Sequence, residues 1–507
     1  MAAIQVSLPQ PGVTAMSAQD VLVVGAGVMG IGIAQVAAQA GHRVFVFDQR
    51  EGAAEQACKQ LAEVLTRLVN KGKITPAEAD ATLGRLVPAA SLQDAASANL
   101  AIEAIVEKLE PKRALLRELE ALLPVDALLA SNTSSISITA LAAGLQHPER
   151  VVGMHFFNPV PLMALVEVVS GLRTPAEVAQ RIERLARAWG KVAVQARSTP
   201  GFIVNRIARP YYAEALMLLQ EQAARPEVLD ALLRAAGFRM GPCELMDLIG
   251  HDTNFAVTQS VFEANFFDRR FTPSLVQREL VEGGLLGRKS GRGFYAYPEG
   301  APVVAAPKQP PPDGGKGVTI HGTGAVAQTL LVAARMALNG PEPATSPESD
   351  WIGIAIGSRQ LRLTDGRPAW QVARDTGVAD IAVFDELPGQ PGGALAYAQT
   401  GSPAWRAEAP SWLQAFGWHP HEVADAPGLV VARTLAMLVN EAADAVHQGV
   451  CSPSGADAAM KLGVNYPAGP FEWLERLGPQ RIVSVLEALD QCYRGERYRV
   501  SPLLQRA

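Results

Sequence analysis

The sequence predicts an α/β domain on a parallel sheet, an all-helical domain, and then a shortened copy of the α/β domain followed by a second copy of the helical one. Three observations carry this. Residues 20–48 run strand, glycine-rich turn, helix, strand, acid, the opening unit of a parallel sheet. Strand-like and helix-like stretches alternate to residue 199 and then give way to helical periodicity. The stretch TPGFIVNRIARPYYAEALML at 199–218 returns as APGLVVARTLAMLVNEAADA at 426–445, displaced by 227 residues, which marks a duplication. The expected boundaries are 18–199, 200–298, a Pro/Gly linker over 299–316, then 317–410 and 411–507.

Composition narrows the class. With 507 residues, 48% hydrophobic and only 19% charged, the chain has room for several packed cores. A net charge of −5 gives no reason to expect a nucleic-acid partner. No run of 18 or more apolar residues suggests a membrane span, and the N-terminus lacks a signal-peptide pattern. Cys58, Cys243, Cys451 and Cys492 are isolated, without disulfide or metal spacing. A cytoplasmic protein without a metal site is expected.

Val21–Val24 reads as a strand that runs straight into Gly25-Ala26-Gly27-Val28-Met29-Gly30. Gly25 suits the tight turn, Gly27 lets a pyrophosphate approach the backbone, and Gly30 lets the helix pack on the strand. The helix beginning at Val28 and Met29 turns its N-terminus toward that phosphate. His42–Phe47 is the next strand, and Asp48 ends it. An acid there hydrogen-bonds the adenosine ribose and repels a 2′-phosphate, so NAD is expected over NADP.

Residues 51–86 are helical, with Leu61, Leu65 and Leu68 at helical spacing, and Lys71 and Lys73 stand beside a glycine at the end of the first helix. On spacing alone they are solvated lysines. A strand over 100–107 that runs into a polar edge and another over 127–135 follow, with a helix between them. Glu107, Lys112, Asn132 and Ser134 lie just past strand ends, where parallel sheets bind ligands. Ser134 also reads as a helix N-cap.

Two β-branched runs, VVGMHFF and MALVEVV, flank Asn158-Pro159-Val160-Pro161 within 151–170. His155 and Glu167 interrupt them. A carboxylate in an apolar strand needs a partner, and a return at the prolines would bring it to His155. A carboxylate fixes an imidazole tautomer and stabilises its charged form. Taken alone, Glu167 reads equally well as a strand-end residue.

Asn205 lies one turn into the helical domain, on its apolar face. In the second half, Gly322-Thr323-Gly324-Ala325-Val326-Ala327 is a worn glycine turn with Ala327 at the third glycine position, and Ala432 stands where the repeat has Asn205. No stretch like HFFNP or LVEV recurs after residue 300. The second half is therefore expected to lack the His/Glu pair.

GAGVMG at 25–30, VEK at 106–108, SNTSS at 131–135, HFFNPVPLMALVEVV at 155–169, TPGFIVNR at 199–206 and GRKSGRGFY at 287–295 occur in order. Together they resemble the L-3-hydroxyacyl-CoA dehydrogenases, over roughly 18–298. The resemblance implies an NAD-binding Rossmann domain, an all-helical domain and oxidation of an acyl-CoA substrate. It makes His155 the catalytic histidine and Glu167 its partner, with Ser134 and Asn205 completing the site. It puts Glu107, Lys112, Ser134, Asn158 and Lys289 around NAD and Lys71 on the CoA phosphates. A serine that also contacts CoA in some members is Val64 here. The whole layout, with a reduced Rossmann remnant and a second helical domain, resembles the long bacterial members of phenylacetate degradation, which act on 3-hydroxyadipyl-CoA and related short acyl-CoAs. Because relatives dimerise through the helical domain, the two copies here are expected to pair within one chain, with further homo-oligomerisation open. The competing readings are an NAD enzyme for a free hydroxy or sugar acid and a non-catalytic NAD-binding scaffold.

Overall fold

The computed structural model describes residues 19–305, 308–310, 312, 317–337, 342–390 and 392–506. The stretch before Gln19 and residues 306–307, 311 and 313–316 of the expected linker lie outside the described residues. The chain divides into two units. One runs through Arg206 and takes in Gln448–Val464; the other holds Ile207–His447 and Asn465 to the C-terminus.

The first unit is built on an eight-stranded sheet. Its strands are β1 (Asp20–Val24), β2 (Arg43–Phe47), β3 (Leu86–Pro88), β4 (Leu100–Glu103), β5 (Leu128–Ser131), β6 (Val151–Phe156), β7 (Leu165–Ser170) and β8 (Val192–Arg197), in the order β3-β2-β1-β4-β5-β6-β7-β8. Every neighbouring pair is parallel except β6 and β7. The exception follows from chain length. A parallel return needs a crossover of a dozen or more residues, and only residues 157–164 separate β6 from β7. The antiparallel register sets His155 directly opposite Glu167. Strand interiors such as Val21, Val23, Val152 and Met154 form a fully buried core with Ile33, Ala34 and Ala37 of the helix Val28–Gln39. The helix Pro453–Gly463 packs on β7 and β8.

The second unit carries a seven-stranded mixed sheet. Its strands are β9 (Val318–His321), β10 (Ala344–Ser346), β11 (Gly353–Ile356), β12 (Arg359–Leu363), β13 (Ile381–Phe384), β14 (Ala394–Thr400) and β15 (His419–Glu422), in the order β10-β9-β11-β12-β13-β14-β15. Connection length again sets direction. Gly357 and Ser358 alone join β11 to β12, which are antiparallel. The helices Ala369–Thr376 and Pro403–Ala415 carry the chain across to parallel neighbours. The α/β repeat therefore does not stop at residue 410. That boundary falls inside the helix Pro403–Ala415, and β15 extends the sheet to Glu422. Pro410 sits within this helix. The segment Gln448–Val464, expected with the second helical domain, packs in the first unit instead.

Both helical copies contribute to the second unit, where the helix Val431–His447 packs on Arg209–Gln220. Every residue from Val431 to Ala445 is buried. A helix buried all round must pair its polar groups. Arg433 donates through Nε to Glu214 at 2.7 Å and through a terminal nitrogen to the Tyr498 hydroxyl at 2.7 Å. Arg270 binds Glu441 and Asp444. The duplication is visible in the backbone as well. Gly201 and Phe202 adopt φ of 75° and 46°, and their counterparts Gly428 and Leu429 adopt 71° and 50°. A left-handed Phe or Leu is uncommon, so the same turn is kept in both copies.

Arg433 and Glu214 are both fully buried. Removing one partner of such a pair costs about 3–5 kcal/mol, because the other charge is left uncompensated. Arg433→Met should lower the urea midpoint accordingly. The same change at the exposed pair Arg278–Glu282 should leave the midpoint where it is.

Candidate active site

The glycine turn leaves β1 at Val24. A Cβ on Gly30 would fall 1.7 Å from the Gly25 carbonyl oxygen, so no larger residue fits between turn and helix. Gly27 is different. It is exposed and has open space where a Cβ would be, and it caps Val28–Gln39 with no side chain on the helix N-terminus. Val28 is exposed beside it, and Met29 is half-buried. Uncapped N–H groups and the positive end of the helix form an anion site. Asp48, at the end of β2, accepts from the Ala26 backbone N–H at 2.9 Å and pairs with Arg50 at 3.0 and 3.1 Å. The Arg50 hydrogen bond is the main reason its carboxyl is held down at about 2, and it is charged at neutral pH. The turn fits a dinucleotide pyrophosphate with a ribose next to Asp48.

The strand ends of β4 and β5 meet at Glu107. Its Oε1 accepts from the Thr133 hydroxyl at 2.7 Å, the Ser134 N–H at 2.9 Å and the Ser135 N–H at 3.2 Å. Burial opposes its charge, but Lys112 and these donors hold its carboxyl below the usual range. Lys112 is buried, and its ammonium bridges Glu103 at 2.6 Å and Glu107 at 3.1 Å. It thus bears on the site through the two carboxylates. Asn132 Oδ1 accepts from the Phe156 N–H at 2.8 Å, which ties the 131–135 turn to the histidine strand.

His155 and Glu167 meet across the β6–β7 pair. Nδ1 of His155 lies 2.6 Å from Oε2 of Glu167, and both residues are buried. Oε1 of Glu167 accepts from the Ile203 and Val204 N–H groups at 3.1 and 2.9 Å. The rings of Phe157 and Phe202 lie 4.5 and 5.9 Å from the imidazole. The acceptor at Nδ1 leaves Nε2 of a neutral imidazole free as a base. Asn205 begins its helix on the same turn, and its amide donates to the Ser134 carbonyl at 3.5 Å.

Asn158 is exposed on the β6–β7 loop. Lys71 and Lys73 are exposed after the helix Ala53–Asn70, which also carries the exposed Val64. Lys289 belongs to the second unit and pairs there with Asp252. Two residues escape sequence reasoning. Glu103 is fully buried and accepts from the Ser131 hydroxyl at 2.6 Å and the Ile105 N–H at 2.7 Å; a charged residue ending a buried strand beside Ser131 was the available signal. Lys191 is buried and donates to the Val160 and Met163 carbonyls at 2.6 and 2.8 Å, clamping the loop that carries Asn158. Nothing in its local sequence marks it.

Comparison with known proteins agrees with this geometry. The model for the NAD-binding domain of 3-hydroxyacyl-CoA dehydrogenase matches residues 20–199, and that for its C-terminal domain matches 201–297 and again 428–507. A third, for the reduced Rossmann-fold domain of 3-hydroxybutyryl-CoA dehydrogenase, matches 361–427. A 3-hydroxyadipyl-CoA dehydrogenase of Escherichia coli (strain K12) is 45% identical over 491 residues, which is 97% of each chain.

The chain belongs to the 3-hydroxyacyl-CoA dehydrogenase family.

A crystal structure of a 3-hydroxybutyryl-CoA dehydrogenase from Escherichia coli K12 shares 43% identity and a TM-score of 0.88, covering 97% of this chain and 98% of that one. A probable 3-hydroxybutyryl-CoA dehydrogenase of Bacillus subtilis (strain 168) is 41% identical, and the match takes in 99% of its length but 56% of this chain. This member of the family is an NAD-dependent 3-hydroxyacyl-CoA dehydrogenase, which sets aside the readings as a free-acid dehydrogenase and as a non-catalytic scaffold. No helix among its described residues is long and apolar enough to cross a membrane.

In the dehydrogenase's second half, Asp385 follows β13 and accepts from the Val430, Val431 and Ala432 N–H groups at 2.9, 2.6 and 2.8 Å. Val430 and Val431 are the repeat counterparts of Ile203 and Val204. A carboxylate thus holds the turn in both copies but from different strands, Glu167 from β7 and Asp385 from the end of β13, and Ala432 stands at the repeat position of Asn205.

Burial pushes the Lys191 ammonium down to about 8 from its ordinary 10.5. Between those values the unfolded chain binds more protons than the folded one, so this group makes stability rise with pH across that window. The unfolding free energy of the wild type, measured relative to Lys191→Met, should therefore climb from pH 8 to 10.5. A flat difference would show that Lys191 does not titrate there.

Proposed function

We propose that His155 is the general base of this NAD-dependent 3-hydroxyacyl-CoA dehydrogenase and Glu167 its orienting partner, and that the substrate is a short or dicarboxylyl 3-hydroxyacyl-CoA such as 3-hydroxyadipyl-CoA. The 2.6 Å contact between two buried side chains carries the first part. The second is supported by the full-length match to an enzyme named for 3-hydroxyadipyl-CoA. NAD, when bound, supplies the hydride acceptor. Nε2 of His155 takes the proton of the 3-hydroxyl, and Glu167 stabilises the imidazolium that results. Ser134 and Asn205 hydrogen-bond the reacting centre and orient it. Gly25, Gly27, Val28, Met29, Gly30 and Asp48 hold the adenosine and pyrophosphate end of the cofactor. Glu107, set by Lys112, serves the nicotinamide end with Asn158, Ser134 and Lys289. Lys71 meets the CoA phosphates.

The wider reading is a cytoplasmic enzyme of phenylacetate or fatty-acid catabolism. Its NAD-binding domain closes near 199 and its first helical domain near 298. The two helical copies pair within one chain, which the buried contacts of Arg433 with Glu214 and of Arg270 with Glu441 support.

Glu167→Gln tests the dyad. It keeps the shape and one acceptor for the 203–204 turn but removes the charge facing His155. With 3-hydroxyadipyl-CoA or 3-hydroxybutyryl-CoA, kcat should fall roughly 10²–10⁴-fold, the range of general acid–base contributions, while NAD affinity stays near wild type. A kcat within about twofold of wild type would make Glu167 purely structural.

Cofactor choice is assigned to Asp48. Its carboxylate repels a 2′-phosphate and also occupies Arg50, which could otherwise receive one. Asp48→Ala should lower kcat/KM with NAD and raise it with NADP. A wild type that uses both cofactors equally would refute this assignment.

A further inference from the structure

The dyad is not held by the first copy alone. The segment Gln448–Val464 comes from the second helical copy by sequence, yet it packs in the first unit. The Arg197 N–H, at the end of β8, donates to the Val450 carbonyl at 2.9 Å. Arg206, next to Asn205, donates to the Gln448 side-chain oxygen at 2.8 Å. The helix Pro453–Gly463 lies on β7, the strand that carries Glu167.

The end of this helix fits closely behind the site. A Cβ on Gly463 would lie 2.8 Å from Leu165 Cδ2, 3.0 Å from Val204 Cγ2 and 3.7 Å from Phe157 Cε1. Each of these residues is linked to the dyad along the chain, by a hydrogen bond or by a ring contact. Leu165 opens β7 two residues before Glu167, the Val204 N–H donates to Glu167, and the Phe157 ring stands 4.5 Å from His155. Burial, and then the Glu167 charge, push the Cys451 thiol up to about 12. The repeat makes the arrangement reciprocal. The Ala424 N–H donates to the Ala223 carbonyl at 2.9 Å, and both positions lie 227 residues from Arg197 and Val450. The helix Pro226–Ala235 packs on β14 in the same manner. At the position equivalent to Gly463 the first copy has Ala236. Glycine stands in the copy that faces the dyad.

We infer that Gln448 and Gly463 of the second helical copy are positioning residues for the oxidation of the 3-hydroxyacyl-CoA, holding the Glu167-bound turn and thereby the imidazole in register. Gln448 fixes the guanidinium beside Asn205. Gly463 lets the helix approach until Leu165 and Val204 have no freedom to move away from Glu167. The second half, though lacking its own dyad, is then a working part of the first half's site. This rests on the assignment of His155 and Glu167 as the catalytic pair.

The test uses the full chain with Gln448→Leu and Gly463→Ala, with Ser454→Ala on the exposed side of the same helix as control and Glu167→Gln measured alongside. A misplacement of about 1 Å at a reacting group costs up to about 10²-fold in rate. Both variants should lose roughly tenfold to hundredfold in kcat, keep KM for NAD within about twofold, and show the low-pH limb of kcat moved to lower pH, since a loosened carboxylate stabilises the imidazolium less. Leu165→Val should restore part of kcat to Gly463→Ala by making room, and Ser454→Ala should behave as wild type. If Gly463→Ala does not fold, Gln448→Leu decides the matter. Variants that melt earlier but keep the wild-type kcat and pH limb, while Glu167→Gln is impaired, overturn the inference and leave the dyad standing. A Glu167→Gln enzyme with wild-type kcat instead removes the dyad assignment on which the inference rests.

Discussion

The structure of the site depends on one buried carboxylate. Glu167 has no water to solvate it, so it must be satisfied from within the protein. One oxygen meets His155 and the other takes the N–H groups of Ile203 and Val204. The same group therefore fixes the imidazole tautomer and anchors the turn from which Asn205 projects. Moving either would leave a charge or two backbone donors unpaired in the interior, which is expensive. This demand keeps the histidine strand, the carboxylate strand and the start of the helical domain in one arrangement.

The duplication separates the two duties. Asp385 holds the Val430–Ala432 turn through backbone N–H groups alone, and the left-handed pair Gly428 and Leu429 matches Gly201 and Phe202. A carboxylate faces the turn in each copy, from β7 in the first and from the end of β13 in the second, and without one the buried N–H donors would be orphaned. Ala432 stands where the repeat has Asn205.

Buried charge recurs wherever the molecule needs a fixed position. Lys112 sits between Glu103 and Glu107 beneath the 131–135 turn, and Arg433 sits between Glu214 and two tyrosine hydroxyls in the helical core. Such pairs are weak sources of stability but unforgiving of displacement. Lys191 does the same with carbonyl groups, securing the loop between β6 and β7.

Much of this was legible in the sequence for a physical reason. Local chain chemistry determined the glycine turn, the acid at Asp48, the alternation of strands and helices, and the duplication. The short proline-rich connection forced β6 and β7 to be antiparallel, which put His155 opposite Glu167. What the sequence left open were contacts between distant stretches that no period or motif encodes. The boundary expected at 410 falls where a helix continues to Ala415 and a strand follows. Lys112, which the resemblance puts around NAD, is buried between Glu103 and Glu107. Lys191 found its carbonyl partners some thirty residues away, and Gln448–Val464 settled on β7 and β8 rather than with its own copy. These placements follow from which buried polar groups and apolar faces can be satisfied together, and only the folded chain brings those groups within reach of one another.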